Sequence, residues 1–558
     1  MTELKEGSIL GRSQPGSDSR NLQDEDAPRG RTSRRLVVIV AFALVAAAAV
    51  AIAVPELQHS ELSVSGVEDG ATLNASTAED LEIVIGSGGM GAGALSVHVD
   101  GAPVAPVSDG STRVVRLEGL ADGEHTVVVT LGGRFGADER TVTRHFSVDS
   151  SGPSFTAPAQ VLPATEGERL IVTGLTEDVS SITVGGVPTS VEGDVYRAEL
   201  APTTEPIEVV ATDALGNTTR RVVVVTDTPV APAYPASNGV HVGQSAWADP
   251  LRRTAILDLA RSGQINVVQL DIKDEVGDLG YPSNVPLATT IGAKMDFYDA
   301  RAALDELHAL GVRVVGRIVC FLDPTLARWA LAAGERDYLV YDQSGATPLP
   351  SEDYGDAAFT NFANAEVQQY QIDIAVEAID LGFDEILYDY VRRPEGDPTT
   401  LTFPGLDTSP EAAVARFVQR SAEVFGPLGA EFGVSVFGIA ATRPTEIGQD
   451  IRLMAPFVDY VAPMVYPQGW GDGEYGVEHP NAQPYDIVVR SLADFHHLTA
   501  GSGAAVVPWL QDYTVGSFEY AEPQITAQLD ATRDSGSNGY LLWNPRALYH
   551  WTAIQPIG

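Results

Sequence analysis

The stretch DEILYDYVRRPEGD, residues 384–397, decides the fold. Its apolar run, Ile386-Leu387-Tyr388, stops at a carboxylate, Asp389, and two arginines and a proline follow at once. A buried strand that ends in an acid with cationic neighbours fits the carboxyl-terminal rim of a parallel barrel, where such folds keep their functional groups. The question is whether the surrounding chain supplies the rest of a barrel.

It does so from residue 239 onward, where apolar, β-branched strands alternate with amphipathic helical segments. Eight strand candidates succeed one another: 239–246, 265–273, 312–321, 384–390, 431–438, 458–466, 504–511 and 539–544. Helical runs such as YDARAALDELHALG (298–311) and VQQYQIDIAVEAIDLG (367–382) separate them, and 334–364 reads as an insertion. Eight βα repeats predict a (β/α)8 barrel over 239–558. A doubly wound sheet is the alternative, but no GxGxxG follows the first strand.

Upstream the texture differs. Residues 57–150 and 153–229 are short Val/Ile/Thr strands broken by Gly, Asp and Asn, the pattern of two β-sandwiches. Both resemble bacterial immunoglobulin-like modules, on features such as ATDALGNTTRRVVVV, and imply a stalk or a weak wall-binding role. The Pro/Ala-rich stretch 230–238 is expected as a linker. Residues 1–35 are polar, mixed in charge and expected to be a disordered cytoplasmic tail ending in RGRTSRR. Residues 36–54 carry no charge and are long enough for a transmembrane signal anchor. The arginines before them place the later domains outside the cell membrane. A cleaved signal peptide is the alternative, and in either case the bulk is exported.

Composition narrows the function. The 558 residues hold 75 acidic against 35 basic side chains, a formal charge of −40, which repels nucleic acid. The single cysteine, Cys320, excludes an internal disulfide and lies in an apolar run as a small hydrophobe. No HExxH or HxxxH pattern accompanies the histidines, so neither a zinc site nor another cofactor is expected.

The strand ends, read in order, give Trp247, Lys273-Asp274, Asp323, Asp389, Tyr466, Gln511-Asp512 and Trp543-Asn544, with Trp470 in the loop after strand six. Carboxylates among large aromatics suit sugars, whose rings lie on flat apolar faces while polar neighbours take the hydroxyls. Two carboxylates flanking one bond are the usual means of cleaving a glycoside.

The motifs NVVQLDIKDEVGDLGY (266–281), RIVCFLDPTLA (317–327), GFDEILYDYVRRP (382–394), IGQDI (447–451), VDYVAPMVYPQGW (458–470), VVPWLQDY (506–513) and GYLLWN (539–544) stand in order along the barrel. Region 239–549 thereby resembles the bacterial "putative glycoside hydrolase" domain family, a TIM barrel distantly similar to α-amylase-like enzymes. The resemblance implies a cofactor-free hydrolase of a polysaccharide or oligosaccharide, with the nucleophile at the end of strand four, Asp389. Arg392 is expected to hold Asp389 ionised, or else to pin the loop. The amylase-like acid after strand five is missing, since Ser435 stands there, which leaves Asp512 or Asp274 as the proton donor. Asp271, expected on the same strand face as Asp274, would raise its pKa by like-charge repulsion. Lys273, Arg317, Arg392, Gln511 and Asn544 are candidate substrate ligands, and Trp247, Tyr466, Trp470 and Trp543 candidate sugar platforms. The competing expectation is a carbohydrate-binding barrel without turnover, serving envelope structure.

Overall fold

A computed structural model describes residues 61–557 apart from 89–91, 110–111, 134–137, 165–167, 228–232, 352 and 517. The tail 1–35 and the expected anchor 36–54 lie outside the described residues. Among the described residues no helix is long and apolar enough to cross a membrane.

The described residues form two compact units, divided after Ser151. The first is all β. One sheet takes the strands Glu61–Ser65, Leu81–Gly88, Thr112–Leu117 and Val107–Asp109, the other Ala71–Leu73, Arg140–Val148, Gly123–Gly133, Ala92–Val99 and Ala102–Val104. Strand Gly123–Gly133 shows why: every second side chain is buried, the period of a half-buried strand. Ile83 and Ile85 of one sheet and Val127, Val129 and Phe146 of the other close a single apolar core.

The second unit begins with another two-sheet β domain, whose core holds Val172, Ile182, Tyr196, Val209 and Val223. It is fastened to the larger domain that completes the unit. Arg416 donates to the Thr176 carbonyl at 2.7 Å and pairs with Asp194 at 2.9 Å. Leu175 belongs to the core of that larger domain.

The larger domain is a closed barrel of eight parallel strands: β1 (Ser237–Val242), β2 (Val267–Lys273), β3 (Arg313–Val319), β4 (Glu385–Asp389), β5 (Glu431–Phe437), β6 (Tyr460–Met464), β7 (Ala505–Val506 continuing as Trp509–Gln511) and β8 (Gly539–Trp543). Neighbours pair in sequence order, β8 pairs with β1, and the β5–β6 pairing completes the ring. The main helices are α1 (Pro250–Arg261), α2 (Ala300–His308), α3 (Pro324–Ala333), α4 (Ala365–Leu381), α5 (Pro410–Phe425), α6 (Pro484–Thr499) and α7 (Glu522–Asp534). Several start on side-chain caps, with Asp249, Asp299, Asp323, Asn364 and Ser409 accepting backbone N–H groups of the first turn.

Inward-pointing side chains fill the barrel. Val267, Val315, Leu387, Tyr460, Trp509 and Leu541 form its lower core, closed from beneath by Tyr234. Tyr234 stacks on Tyr460 and donates to Glu385 at 2.6 Å, which also takes Arg313 at 2.5 Å. The expected linker 230–238 therefore contributes the barrel floor from Tyr234 and the first strand from Ser237. An apolar-aromatic plug was hidden there by the prolines around it.

Candidate active site

The centre of the site is built by alternation along β2 and one interruption of it. Gln269 and Asp271 point into the barrel, as every second strand residue must. Between Asp271 and Lys273 the pairing with β3 shifts register. That bulge turns Lys273 outward, where its ammonium meets Asp323 at 2.7 Å, Gln371 at 2.8 Å and the Cys320 carbonyl at 3.3 Å. Lys273 is thus a buried brace and not a substrate ligand. Asp323 has a second task, since its Oδ1 caps α3 by accepting from Leu326 N–H.

This brace fixes the adjoining turn. Gly277, at φ +90°, lies so close to Asp323 that a methyl group there would overlap the carboxylate. The Val276 carbonyl accepts from both the backbone N–H (3.1 Å) and the hydroxyl (2.9 Å) of Thr325. Asp274 closes the turn with one carboxylate oxygen, accepting from Val276 and Asp278 N–H. The turn 274–278 is bolted to α3 on one side and presents Glu275 to the barrel axis on the other.

There Arg317, from β3, holds three carboxylates. It donates to Asp389 Oδ2 from Nε at 2.8 Å and to Asp271 Oδ1 from Nη1 at 3.0 Å. Its Nη2 lies 2.5 Å from Glu275 Oε1 and 2.6 Å from Asp389 Oδ2. Two oxygens that share one nitrogen lie at most about 5 Å apart. Asp389 and Asp271 are nearly sealed, whereas a quarter of the Glu275 side chain is open to solvent. The Asp389 Oδ1 accepts from Tyr390 N–H at 2.7 Å, and Tyr390 itself takes the left-handed backbone, φ +48°.

One cation against three carboxylates leaves the centre short of positive charge. Burial pushes the Asp271 carboxyl up to about 7 against the pull of Arg317. Burial works upward on Glu275 too, but Arg317 outweighs it and holds that carboxyl below its usual value. Burial, and next the charge of Glu275, push Asp274 up to about 7, with Asp271 adding to it. His241 does not help neutralise the group, because burial and Arg317 lower it to about 3 and keep it neutral. Its ring lies 2.5 Å from Gln269 Oε1, and Gln269 donates to Asp271, so a chain of hydrogen bonds orients the buried acid.

Aromatic rings surround the centre. Trp543 stacks on His241 with centroids 3.9 Å apart and carries the Arg317 guanidinium 5.0 Å from its ring. Tyr466 and Trp543 are partly open, as are Tyr354 and Tyr390. Burial, with Glu275, pushes the Tyr354 hydroxyl up to about 12.

Several expected site residues stand elsewhere. Arg392 does not reach Asp389: its guanidinium lies among Phe437, Tyr390 and Phe359 and donates to the Arg393 carbonyl and Glu395. Trp247 and Trp470 are core residues, the latter pressed against Gly438 in a loop whose glycines suggested openness. Gln511 is buried and accepts from Gln468 N–H, which ties the β6 loop to β7. Asn544 donates to the Asp512 and Leu548 carbonyls and shapes a turn. Asp512 is fully buried, with His550 donating to it from Nδ1 at 2.5 Å and from the backbone at 3.0 Å. Ser435 accepts from the Trp509 indole at 2.9 Å, so the end of β5 carries packing in place of an acid. Glu275 was not anticipated. Its signal was present in LDIKDEVGD, where it follows Asp274 directly, but only the bulge reveals that the glutamate reaches the axis. Among the described residues no group of three or more His, Cys, Asp or Glu side chains is arranged to hold a metal ion. A cavity of 640 Å³ lies away from this centre, between Leu162 of the second β domain and barrel residues that include His496, Val506 and Asn538.

Fold and site together define a (β/α)8 barrel with an acid-rich centre at its strand ends. The chain belongs to the family described as "Putative glycosyl hydrolase domain", whose model matches residues 239–549. No curated protein matches it. Solved structures do. A hypothetical protein from Ruminiclostridium thermocellum is similar at 27% identity over 35% of this chain and 96% of its own, with a TM-score of 0.31. The PgaB (BpsB) glycoside hydrolase domain from Bordetella bronchiseptica is 14% identical over 58% and 96%, with a TM-score of 0.44. The α-galactosidase TtGalA from Thermus thermophilus is 14% identical over 79% and 90%, with a TM-score of 0.39.

Proposed function

We propose that the barrel hydrolyses glycosidic bonds in a polysaccharide, with Asp389 and Glu275 as the reacting carboxylates. The observation that carries this is their sharing of one Arg317 nitrogen at the strand ends, beneath partly open aromatic rings. Asp389, held by Arg317, attacks the anomeric carbon. Glu275, the outermost acid, gives its proton to the leaving oxygen as that bond breaks. In the second step Glu275 takes a proton from water, which attacks the same carbon and frees Asp389. The proton is supplied by the crowding itself, because three carboxylates on one cation retain one proton near neutrality. Burial already pushes the Asp271 carboxyl up to about 7, and a sugar that covers Glu275 would raise the glutamate in the same way by desolvating it.

The test is a pair of variants assayed on polysaccharides and on aryl glycosides, whose leaving groups need no proton. Asp389→Asn loses both activities. Glu275→Gln loses the polysaccharide and keeps the first step on aryl glycosides. Full polysaccharide turnover by Glu275→Gln overturns the assignment. One observation favours a second reading, a binding barrel without turnover: both oxygens of Asp389 are already engaged, by Arg317 and Tyr390 N–H. Sugar binding with no turnover in the parent chain selects it.

The remaining assignments rest on sequence. Residues 36–54 anchor the chain in the cell membrane, and 57–150 and 153–229 are immunoglobulin-like modules that carry the hydrolase, 239–558, outside it. Protease protection of an amino-terminal tag in intact cells tests that topology, and a cleaved or freely secreted chain overturns the anchor.

A further inference from the structure

The turn 274–278 has an outer side as well as an inner one. A groove of 510 Å³ lies against that outer side, lined by Val276 and Asp278 from the turn, Ile291 and Met295 from the segment before α2, and Arg328 and Trp329 from α3. Val276 and Arg328 are exposed and Trp329 is partly open. Tyr338 packs beside Trp329, with ring centroids 6.1 Å apart and the rings tilted by 51°. Arg328 spends one bond on Thr325, at 3.1 Å. Asp278 faces the same Thr325 hydroxyl at 3.4 Å, and burial raises its carboxyl above the usual range.

We propose that this groove is a distal subsite for the same polysaccharide, taking neutral hexose units that lie beyond the bond to be cleaved. The proposal rests on the catalytic assignment of Glu275, whose neighbour in the chain, Val276, forms the groove wall. A tryptophan face with Met295 and Ile291 beside it gives a sugar ring flat apolar area, while Arg328 donates and Asp278 accepts. Arg328 and Asp278 balance in charge, which suits an uncharged ring better than a uronate or a phosphate. Because one five-residue turn carries both Glu275 and the groove wall, a chain crossing that turn fills both places at once. Its pinning by Asp323, Thr325 and Gly277 makes the spacing between them fixed.

The test uses the full chain carrying Asp389→Asn, titrated calorimetrically with ladders of gluco-, manno-, galacto- and N-acetylglucosamine oligosaccharides from disaccharide to hexasaccharide. Affinity is expected to rise with length for one ladder. Arg328→Ala and Trp329→Ala then each lower hexasaccharide affinity about tenfold, as truncating an anchor does, and leave the disaccharide within about twofold. Arg328 is exposed, so its variant keeps the fold if Trp329→Ala does not. Unchanged hexasaccharide affinity in the Arg328→Ala chain, affinity independent of length, or no binding by any ladder overturns the subsite. The catalytic assignment fails separately, when the Asp389→Asn chain still cleaves the bound hexasaccharide.

Discussion

The ends of β2 and β7 each place aspartates at the rim of one barrel, and they do opposite things. At β7, Asp512 is saturated: His550 meets both its oxygens, and the carboxylate is wholly buried. At β2 and the turn beyond, Asp271 and Glu275 share Arg317 with Asp389, so three acids divide one guanidinium. A saturated carboxylate is structure, because removing it from its partner costs more than any ligand returns. An under-neutralised group keeps a mobile proton and an affinity for charge that develops later, and that is what acid/base chemistry requires.

The sharpest break between the two ends is catalytic. Asp389→Asn is expected to lower kcat by about 10⁴-fold or more, as loss of a nucleophilic carboxylate does, whereas Asp512→Asn leaves kcat within about threefold. Asp512→Asn instead destabilises the barrel by about 1–3 kcal/mol, since His550 then faces a poorer acceptor. Turnover and urea unfolding of the two variants give both readouts, and equal losses of kcat erase the distinction between the two ends.

The next largest effect falls on Arg317. Its guanidinium is 1% exposed and is the cation common to Asp271, Glu275 and Asp389. Arg317→Met is expected to destabilise by about 3–5 kcal/mol, the cost of leaving buried charge uncompensated. Adding Glu275→Gln to that variant recovers part of the loss, because the second change removes the carboxylate that Arg317 held below its usual value and that has now lost its partner. If the double variant is no more stable than the single one, Glu275 is not coupled to Arg317.

Gly277→Ala tests the bolted turn. A methyl there meets Asp323 and also forces an alanine to φ +90°. The turn must move, and a shift of about 1 Å at Glu275 is worth about 100-fold in kcat. Wild-type kcat in this variant shows that the turn does not set the glutamate's position.

The barrel was legible because its strands are continuous apolar runs ending in polar residues: seven of the eight expected runs contain an observed strand, and the first overlaps Ser237–Val242, which begins two residues earlier. The place of Asp389 at the end of β4 was legible for the same reason. The rest of the centre was not. Strand alternation puts Lys273 on the inward face with Asp271, and only the local register shift sends it outward. Trp470 sits among glycines that read as a loose loop, yet Gly438 lacks a side chain where the indole packs. Arg317 was expected among the substrate ligands at the strand ends. That it gathers three acids depends on long-range geometry that no single strand carries.

The smallest effect compares the two ends through pH. Asp271 has its carboxyl pushed up to about 7 by burial, while in the unfolded chain it ionises near the ordinary ~3.9. Between those values the folded barrel keeps a proton that the unfolded chain has released, so stability falls as pH rises through this window. Asp274, also pushed up to about 7, adds to the same slope. Burial raises Asp512 as well, but its bonds to His550 oppose the shift. Urea midpoints measured from pH 4 to pH 8 should therefore decline with pH, and Asp271→Asn should flatten the decline more than Asp512→Asn does. Equal flattening by the two substitutions would mean that neither end holds the centre's proton preferentially, and the under-neutralised character assigned to β2 would be lost.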